Sequence, residues 1–128
     1  MTLNTVLVID DSEAEQFLYK HMIESHDKDA KVLSAYDGEE ALEVLTNGKE
    51  EPSCILLDIN MPRMNGFEFL DSYSKQFKGE HAIIVMLTSS THTDDKERAL
   101  AYQYVRDYFI KPITAEDLQK LSAIVKKS

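Results

Sequence analysis

Residues 6–12, Val6-Leu7-Val8-Ile9-Asp10-Asp11-Ser12, change character in a single step: four apolar side chains without alternation give way to two carboxylates and a hydroxyl. An unalternated apolar run of this length suits a strand covered on both faces. Ser12 with Glu15 matches the capping-box pattern of a helix that starts just beyond it. In that helix Ala14, Phe17, Leu18 and Met22 fall on one side, which is the face expected to meet the core.

The same unit repeats outward from this stretch. Further apolar runs are Val32-Leu33-Ser34-Ala35, Cys54-Ile55-Leu56-Leu57, Ile83-Ile84-Val85-Met86-Leu87 and Tyr108-Phe109-Ile110. The run at 32–35 is the most mixed, as suits an edge strand. Between the runs the apolar residues take helical spacing. Gly38, Ala41, Leu42 and Leu45 share a face that Gly48 ends; Leu70, Tyr73 and Phe77 continue a face opened by Gly66. Leu100, Ala101 and Tyr104 form a less regular set. Leu118, Leu121, Ser122 and Val125 form a stripe with Thr114 as the expected N-cap and Lys126 and Lys127 at the far end. Strand and helix therefore alternate five times. That order predicts an α/β fold, a doubly wound five-stranded parallel sheet with right-handed crossovers and helices on both faces. Ligands of such sheets bind beyond the carboxyl ends of the strands.

Composition narrows the classes. The 128 residues fit one domain spanning 1–128, and 43% hydrophobic with 29% charged residues is ordinary for a chain that buries a core. A formal net charge of -9 argues against nucleic-acid binding. The acidity reads equally as solubility or as a surface that selects partners. The single Cys54 cannot make an internal disulfide. No basic segment precedes the first apolar run, and none of the runs approaches the ~20 residues of a membrane span. No membrane association and a cytoplasmic location are expected.

The strand ends carry the chemistry. Asp10 and Asp11 follow the first run, Asp58 the third, Thr88 and Ser89 the fourth, and Lys111 and Pro112 the fifth. Each has an ordinary reading by itself: a carboxylate after a strand is commonly a turn or cap residue, Thr88 a hydroxyl bonded to backbone, Lys111 a solvated charge. Together they bring three carboxylates, a hydroxyl and an ammonium to one sheet edge. Clustered carboxylates repel and call for a cation. Oxygen-only ligands favour Mg2+. His21, His26, His81 and His92 are scattered and Cys54 lies in an expected buried strand, so all five are read as non-ligands. A carboxylate beside a metal and a fixed lysine can attack phosphorus, with positive charge gathered around the transferring oxygens. On this reading Asp58 attacks, Asp10 and Asp11 hold the metal, and Lys111 and Thr88 grip the phosphoryl oxygens.

The blocks VLVIDDS at 6–12, AYDGEEAL at 35–42, LLDINMPRMNG at 56–66, LTSS at 87–90 and YFIKP at 108–112 closely resemble the response-regulator receiver domain over nearly the whole chain. The single-domain chemotaxis type is the nearest pattern. The resemblance implies a flavodoxin-like sheet of order 2-1-3-4-5 and a two-component or phosphorelay switch. It implies Mg2+-dependent phosphoryl transfer to Asp58 from a phosphohistidine on a sensor histidine kinase or a histidine phosphotransfer protein. It implies metal ligation by Asp11, by Asp10 more often through water, by Asp58 and by the backbone carbonyl of Asn60. Thr88 and Tyr108 are the implied switch pair, Tyr108 packing inward behind Thr88, and Lys111-Pro112 the implied cis peptide. The α4-β5-α5 face is the implied site of an output protein. Tyr108 also reads simply as an apolar strand residue, and of Tyr102, Tyr104 and Tyr108 two read equally well as core.

Departures from the family pattern are Gln103-Tyr104-Val105 where a Gly-Ala pair is common, Asn65 before Gly66 and Ile113 after Pro112. The first leaves open whether the fourth helix runs on. An aspartyl-phosphate phosphatase or phosphotransferase would need an acid/base two residues past Asp58, where Asn60 stands, so a turnover enzyme is not expected. A phosphorylation-independent interaction module would lack one of the acidic or lysine residues. Nothing recognisable as an output domain follows, so output through protein contact or onward relay of the phosphoryl group is expected. Small, neutral Ser90 beside the site suggests no strong built-in dephosphorylation.

Overall fold

Strands and helices alternate from the first residues onward: β1 (Thr5–Ile9), α1 (Glu13–His26), β2 (Lys31–Ala35), α2 (Gly38–Asn47) and β3 (Cys54–Asp58). They continue through α3 (Gly66–Gln76), β4 (Ile83–Thr88), α4 (Thr93–Leu100), β5 (Val105–Ile110) and α5 (Ala115–Lys127). The computed structural model describes residues 4–48, 51–61, 64–77, 82–89, 93–102 and 104–127, and side chains for these except 93–95, 126 and 127. Ser90, His81, His92 and Gln103, singled out from the sequence, lie outside the described residues.

All four strand pairings are parallel and the order is β2-β1-β3-β4-β5, the doubly wound, flavodoxin-like sheet expected from the sequence. The two central strands β3 and β4 are buried at every residue, whereas β2 at the edge is mostly open. Apolar side chains on the two faces of the sheet form two cores. One gathers Leu7, Ile9, Ile55, Leu57 and Met86 with Phe69, Leu70 and Tyr73 of α3; the other gathers Val6, Val8, Leu56, Val85 and Leu87 with Tyr19, Ile23, Leu118 and Leu121 of α1 and α5. Period-two strand geometry explains the division, since neighbouring residues point to opposite faces.

Three sequence expectations change. The buried face of α1 is Gln16, Tyr19 and Ile23, while Phe17 is 77% and Leu18 42% exposed. Gln16 lies inside with its two Nε2 hydrogens shared among the carbonyls of Val8 (3.0 Å), Asp10 (3.0 Å) and Ala35 (2.8 Å), while its buried Oε1 has no partner among the described residues. The fourth helix does not run on. It stops at Leu100, with Ala99 rather than Leu100 buried, and β5 starts at Val105, well before the apolar run. Polar Arg106 and Asp107 are tolerated there because β5 is an edge strand, and its pairing with β4 is irregular at Ile84 and Val85. Among the described residues, no helix is long and apolar enough to cross a membrane.

Candidate functional site

The ends of β1, β3 and β5 are held by ladder bonds that run one step past each strand. The Asp10 N–H donates to the Ala35 carbonyl (3.0 Å), the Ile59 N–H to Leu87 (3.1 Å) and the Lys111 N–H to Thr88 (2.7 Å). The ladders line up the ends of β1, β3, β4 and β5, so residues distant in sequence meet at one rim. Gly66 is required close by. A Cβ on it would stand 2.9 Å from both the Asp58 carbonyl oxygen and the Ile59 Cα, backbone that cannot give way. The glycine thus lets α3 start against the back of the Asp58 peptide, where its N–H donates to the Ile59 carbonyl at 2.9 Å.

Carboxylate oxygens of Asp10, Asp11 and Asp58 lie within 4.8 Å of one another, with Asp10 and Asp58 buried and Asp11 exposed. Lys111 reaches into the group from the end of β5. Its Nζ lies 3.1 Å from Asp10 Oδ2, 3.2 Å from Asp58 Oδ1 and 3.0 Å from Glu15 Oε2. The Asn60 N–H makes a long contact of 3.4 Å, also to Asp58 Oδ1. Both polar contacts of the Asp58 carboxylate among the described residues therefore involve Oδ1, and Oδ2 is left unengaged by them. Asp10 is fixed from its other side, Oδ1 accepting the Ser12 N–H at 2.9 Å.

These contacts leave the site short of positive charge. Burial pushes the Asp10 carboxyl up to about 6, with the charge of Asp58 adding to the effect against the pull of Ser12 and Lys111. Burial likewise raises Asp58, opposed by Lys111 and reinforced by Asp11. Burial works against the ammonium of Lys111, but the hydrogen bond to Glu15 and the charges of Asp58 and Asp10 outweigh it and hold Lys111 charged. A buried carboxylate pair whose charged forms are disfavoured in this way is what a divalent cation would relieve, and the donor set is all oxygen. The residues present therefore fit Mg2+.

Thr88 is fully buried at the end of β4. Tyr108 pairs with Met86 in the β4–β5 register, and its ring is already buried, in the same cluster as Ala99 of α4 and Phe67 of α3. The Lys111–Pro112 peptide is cis. His21 and His26 are exposed, and the His26 Nε2 pairs with Ser122 Oγ at 2.8 Å. Cys54 is buried, and burial pushes its thiol up to about 12. Tyr104 meets Tyr73 edge-on, and the Tyr102 hydroxyl donates to Asp71 Oδ1 at 2.7 Å, so both half-buried tyrosines tie the α4–β5 side to α3.

Two residues at the site were not legible as such. Gln16 braces the end of β1 against β2 from within. Glu15, matched only to a capping box, gives its backbone N–H to Ser12 Oγ (3.2 Å) but sends its carboxylate to Lys111. The only local signal for Gln16 was a second stripe at i, i+3, i+7 through Tyr19 and Ile23. Glu15 had none, since its partner lies 96 positions away.

Known proteins are similar to this chain in sequence and fold. A family model described as the response regulator receiver domain matches residues 6–123. Protein PilH of Pseudomonas aeruginosa is 30% identical over 115 residues, 90% of this chain and 91% of that protein. A two component response regulator from Cytophaga hutchinsonii is similar with a TM-score of 0.92 at 30% identity, 100% of each chain being covered. The Vibrio cholerae chemotaxis protein CheY4 follows with a TM-score of 0.82 at 30% identity, over 97% of this chain and 99% of that one. Strand order, the acidic rim with its lysine and the family match over residues 6–123 agree: the chain belongs to the response regulator receiver domain family.

Proposed function

We propose that the chain is a phosphoacceptor switch in which Asp58 takes a phosphoryl group from a phosphohistidine on a sensor histidine kinase or a histidine phosphotransfer protein. The observation that carries this reading is the half-engaged Asp58 carboxylate. Its Oδ1 is turned to Lys111 and the Asn60 N–H, its Oδ2 is unengaged by the described residues, and two further carboxylates stand within 4.8 Å. In the transfer Asp58 Oδ2 forms the new O–P bond as the P–N bond to the imidazole breaks. The imidazole keeps the bonding pair and regains a proton from solvent. Lys111, held charged and already beside Asp58, is positioned to bind a phosphoryl oxygen, and Thr88 at the neighbouring strand end to bind another.

Asp10, Asp11, Asp58 and the Asn60 carbonyl would hold Mg2+, which when bound supplies positive charge for the transferring oxygens and relieves the repulsion among the carboxylates. Asn60 offers no acid or base two residues past Asp58, which favours a switch over a turnover enzyme. The readout runs through Thr88 and the buried Tyr108 to the α4-β5-α5 face, where an output protein binds. The Tyr108 ring already lies inside, in the same buried cluster as Ala99 of α4, which supports a readout through packing at α4.

Incubation with acetyl phosphate and Mg2+, followed by intact-mass measurement, tests the reading. One phosphoryl adduct is expected on the wild type, and none on Asp58→Asn or with the metal chelated. A wild type that gains no Mg2+-dependent adduct would sink it.

A further inference from the structure

We propose that Glu15 is the resting partner of Lys111, displaced when the phosphoryl group arrives, and that its carboxylate sets how fast Asp58 is phosphorylated. The inference rests on the phosphoacceptor reading above and adds a positioning residue to it.

An ammonium has three N–H donors, and Lys111 faces three carboxylate oxygens at 3.0–3.2 Å, from Glu15, Asp10 and Asp58. The lysine is saturated. A phosphoryl oxygen can gain a donor from it only if one of these contacts gives way. Asp10 is fully buried and pinned at its other oxygen by the Ser12 N–H, so it cannot turn aside. Asp58 is the group that reacts and stays in place. Glu15 remains. Its side chain is 32% exposed, and it sits in the first turn of α1 on a long, rotatable stem. Its other oxygen, Oε1, faces the Tyr19 hydroxyl at 3.4 Å, so the released carboxylate keeps a partner on its own helix.

The helix start carries an independent sign that Glu15 is drawn to the lysine. In a complete capping box the Glu15 carboxylate would accept the Ser12 N–H. Here Asp10 Oδ1 accepts that N–H, and Glu15 has turned to Lys111 instead. Three carboxylates then face one ammonium at the rim, with Asp11 beside them, and every phosphodonor is an anion. Glu15 thus slows phosphorylation in two ways: it occupies a donor that the incoming group needs, and it repels that group.

The test compares the wild type with Glu15→Gln, which keeps shape and an acceptor but removes the charge, and with Glu15→Asp, which keeps the charge on a stem one methylene shorter. Phosphorylation is followed by intact mass at fixed Mg2+ with acetyl phosphate, a dianion at neutral pH, and with phosphoramidate, which carries less net negative charge. Glu15→Gln is expected to be phosphorylated about fivefold faster with acetyl phosphate, the scale of one partly exposed charge pair, and to gain less with phosphoramidate. Glu15→Asp is expected to fall between wild type and Glu15→Gln. A residue that only supported the fold would change both donors alike. Rates for Glu15→Gln equal to or below the wild type, or an equal gain with both donors, overturn the proposal and leave the phosphoacceptor reading intact. Should Glu15→Gln fail to fold, the Glu15→Asp rate decides alone: no gain over wild type overturns the proposal. A wild type that takes no adduct overturns both.

Discussion

Two helices of this protein begin with the same signature and end up wired differently. Before α3, Asn65 and Glu68 form a full capping box: Asn65 Oδ1 accepts the Glu68 N–H at 2.9 Å, and Glu68 Oε1 accepts the Asn65 N–H at 3.0 Å. Before α1, Ser12 and Glu15 make only the first half. A capping box is worth little to each partner, and it is made where no stronger one is in reach. Glu68 is exposed and its carboxylate folds back on the helix. Glu15 has a partly buried ammonium at 3.0 Å, a bond in which both partners are charged, and the Ser12 N–H it would otherwise accept is taken by Asp10 Oδ1. The difference teaches that a local motif states what a helix start will do in the absence of competition, and that a functional site supplies the competition.

Removing the competitor breaks the comparison most severely. In Lys111→Met the carboxylates of Asp10, Glu15 and Asp58 lose their shared cation, and phosphorylation of Asp58 by acetyl phosphate is expected to fall about 100-fold. Rates within twofold of the wild type would remove Lys111 from the chemistry.

A second prediction concerns Asp10, which occupies the place at the Ser12 N–H that Glu15 left. Burial lifts Asp10 from its ordinary 3.8 to about 6, so the folded protein binds this proton more tightly than the unfolded chain does. With divalent cations chelated, the contribution of Asp10 to stability is therefore full below about 3.8 and lost as pH rises through about 6. Asp10→Asn is expected to raise Tm by about 5 °C at neutral pH and hardly at all around pH 4. A gain that does not depend on pH would show that the charge of Asp10 is not strained, and Mg2+ is expected to shrink the gain by stabilising the wild type.

The smallest effect sharpens the comparison at the caps themselves. Asn65→Ala and Glu68→Ala together remove both bonds of a complete box and are expected to cost about 1 kcal/mol in urea unfolding; Ser12→Ala removes the one capping bond at α1 and is expected to cost about half that. Equal costs would mean that the returning Glu68 carboxylate adds nothing to the cap at α3.

Much of this was legible in the chain. Five apolar runs placed five strands, and the first, third and fourth are unalternated, with no exposed face to offer, so that only a sheet covered on both sides suits them. The acidic ends of those runs, with Lys111, then had to meet at one rim, because parallel strands all present their carboxyl ends together. Glu15, Gln16, the buried stripe of α1 and the start of β5 were not legible, and for one reason. Periodicity is read along a segment, whereas each of these depended on what stands across from it: carbonyls that take the N–H donors of a buried amide, an edge position that tolerates Arg106 and Asp107, an ammonium 96 residues away.

By itself, then, the sequence determined the alternation of strands and helices and the identity of the aspartates at their ends, since both follow from side-chain pattern and chain direction. Only the tertiary structure decided how far each carboxylate is already engaged. Asp58 keeps one oxygen unengaged by the described residues while Lys111 is held by three carboxylates at once, because burial and the meeting of distant strand ends set charge against charge in ways no local spacing records.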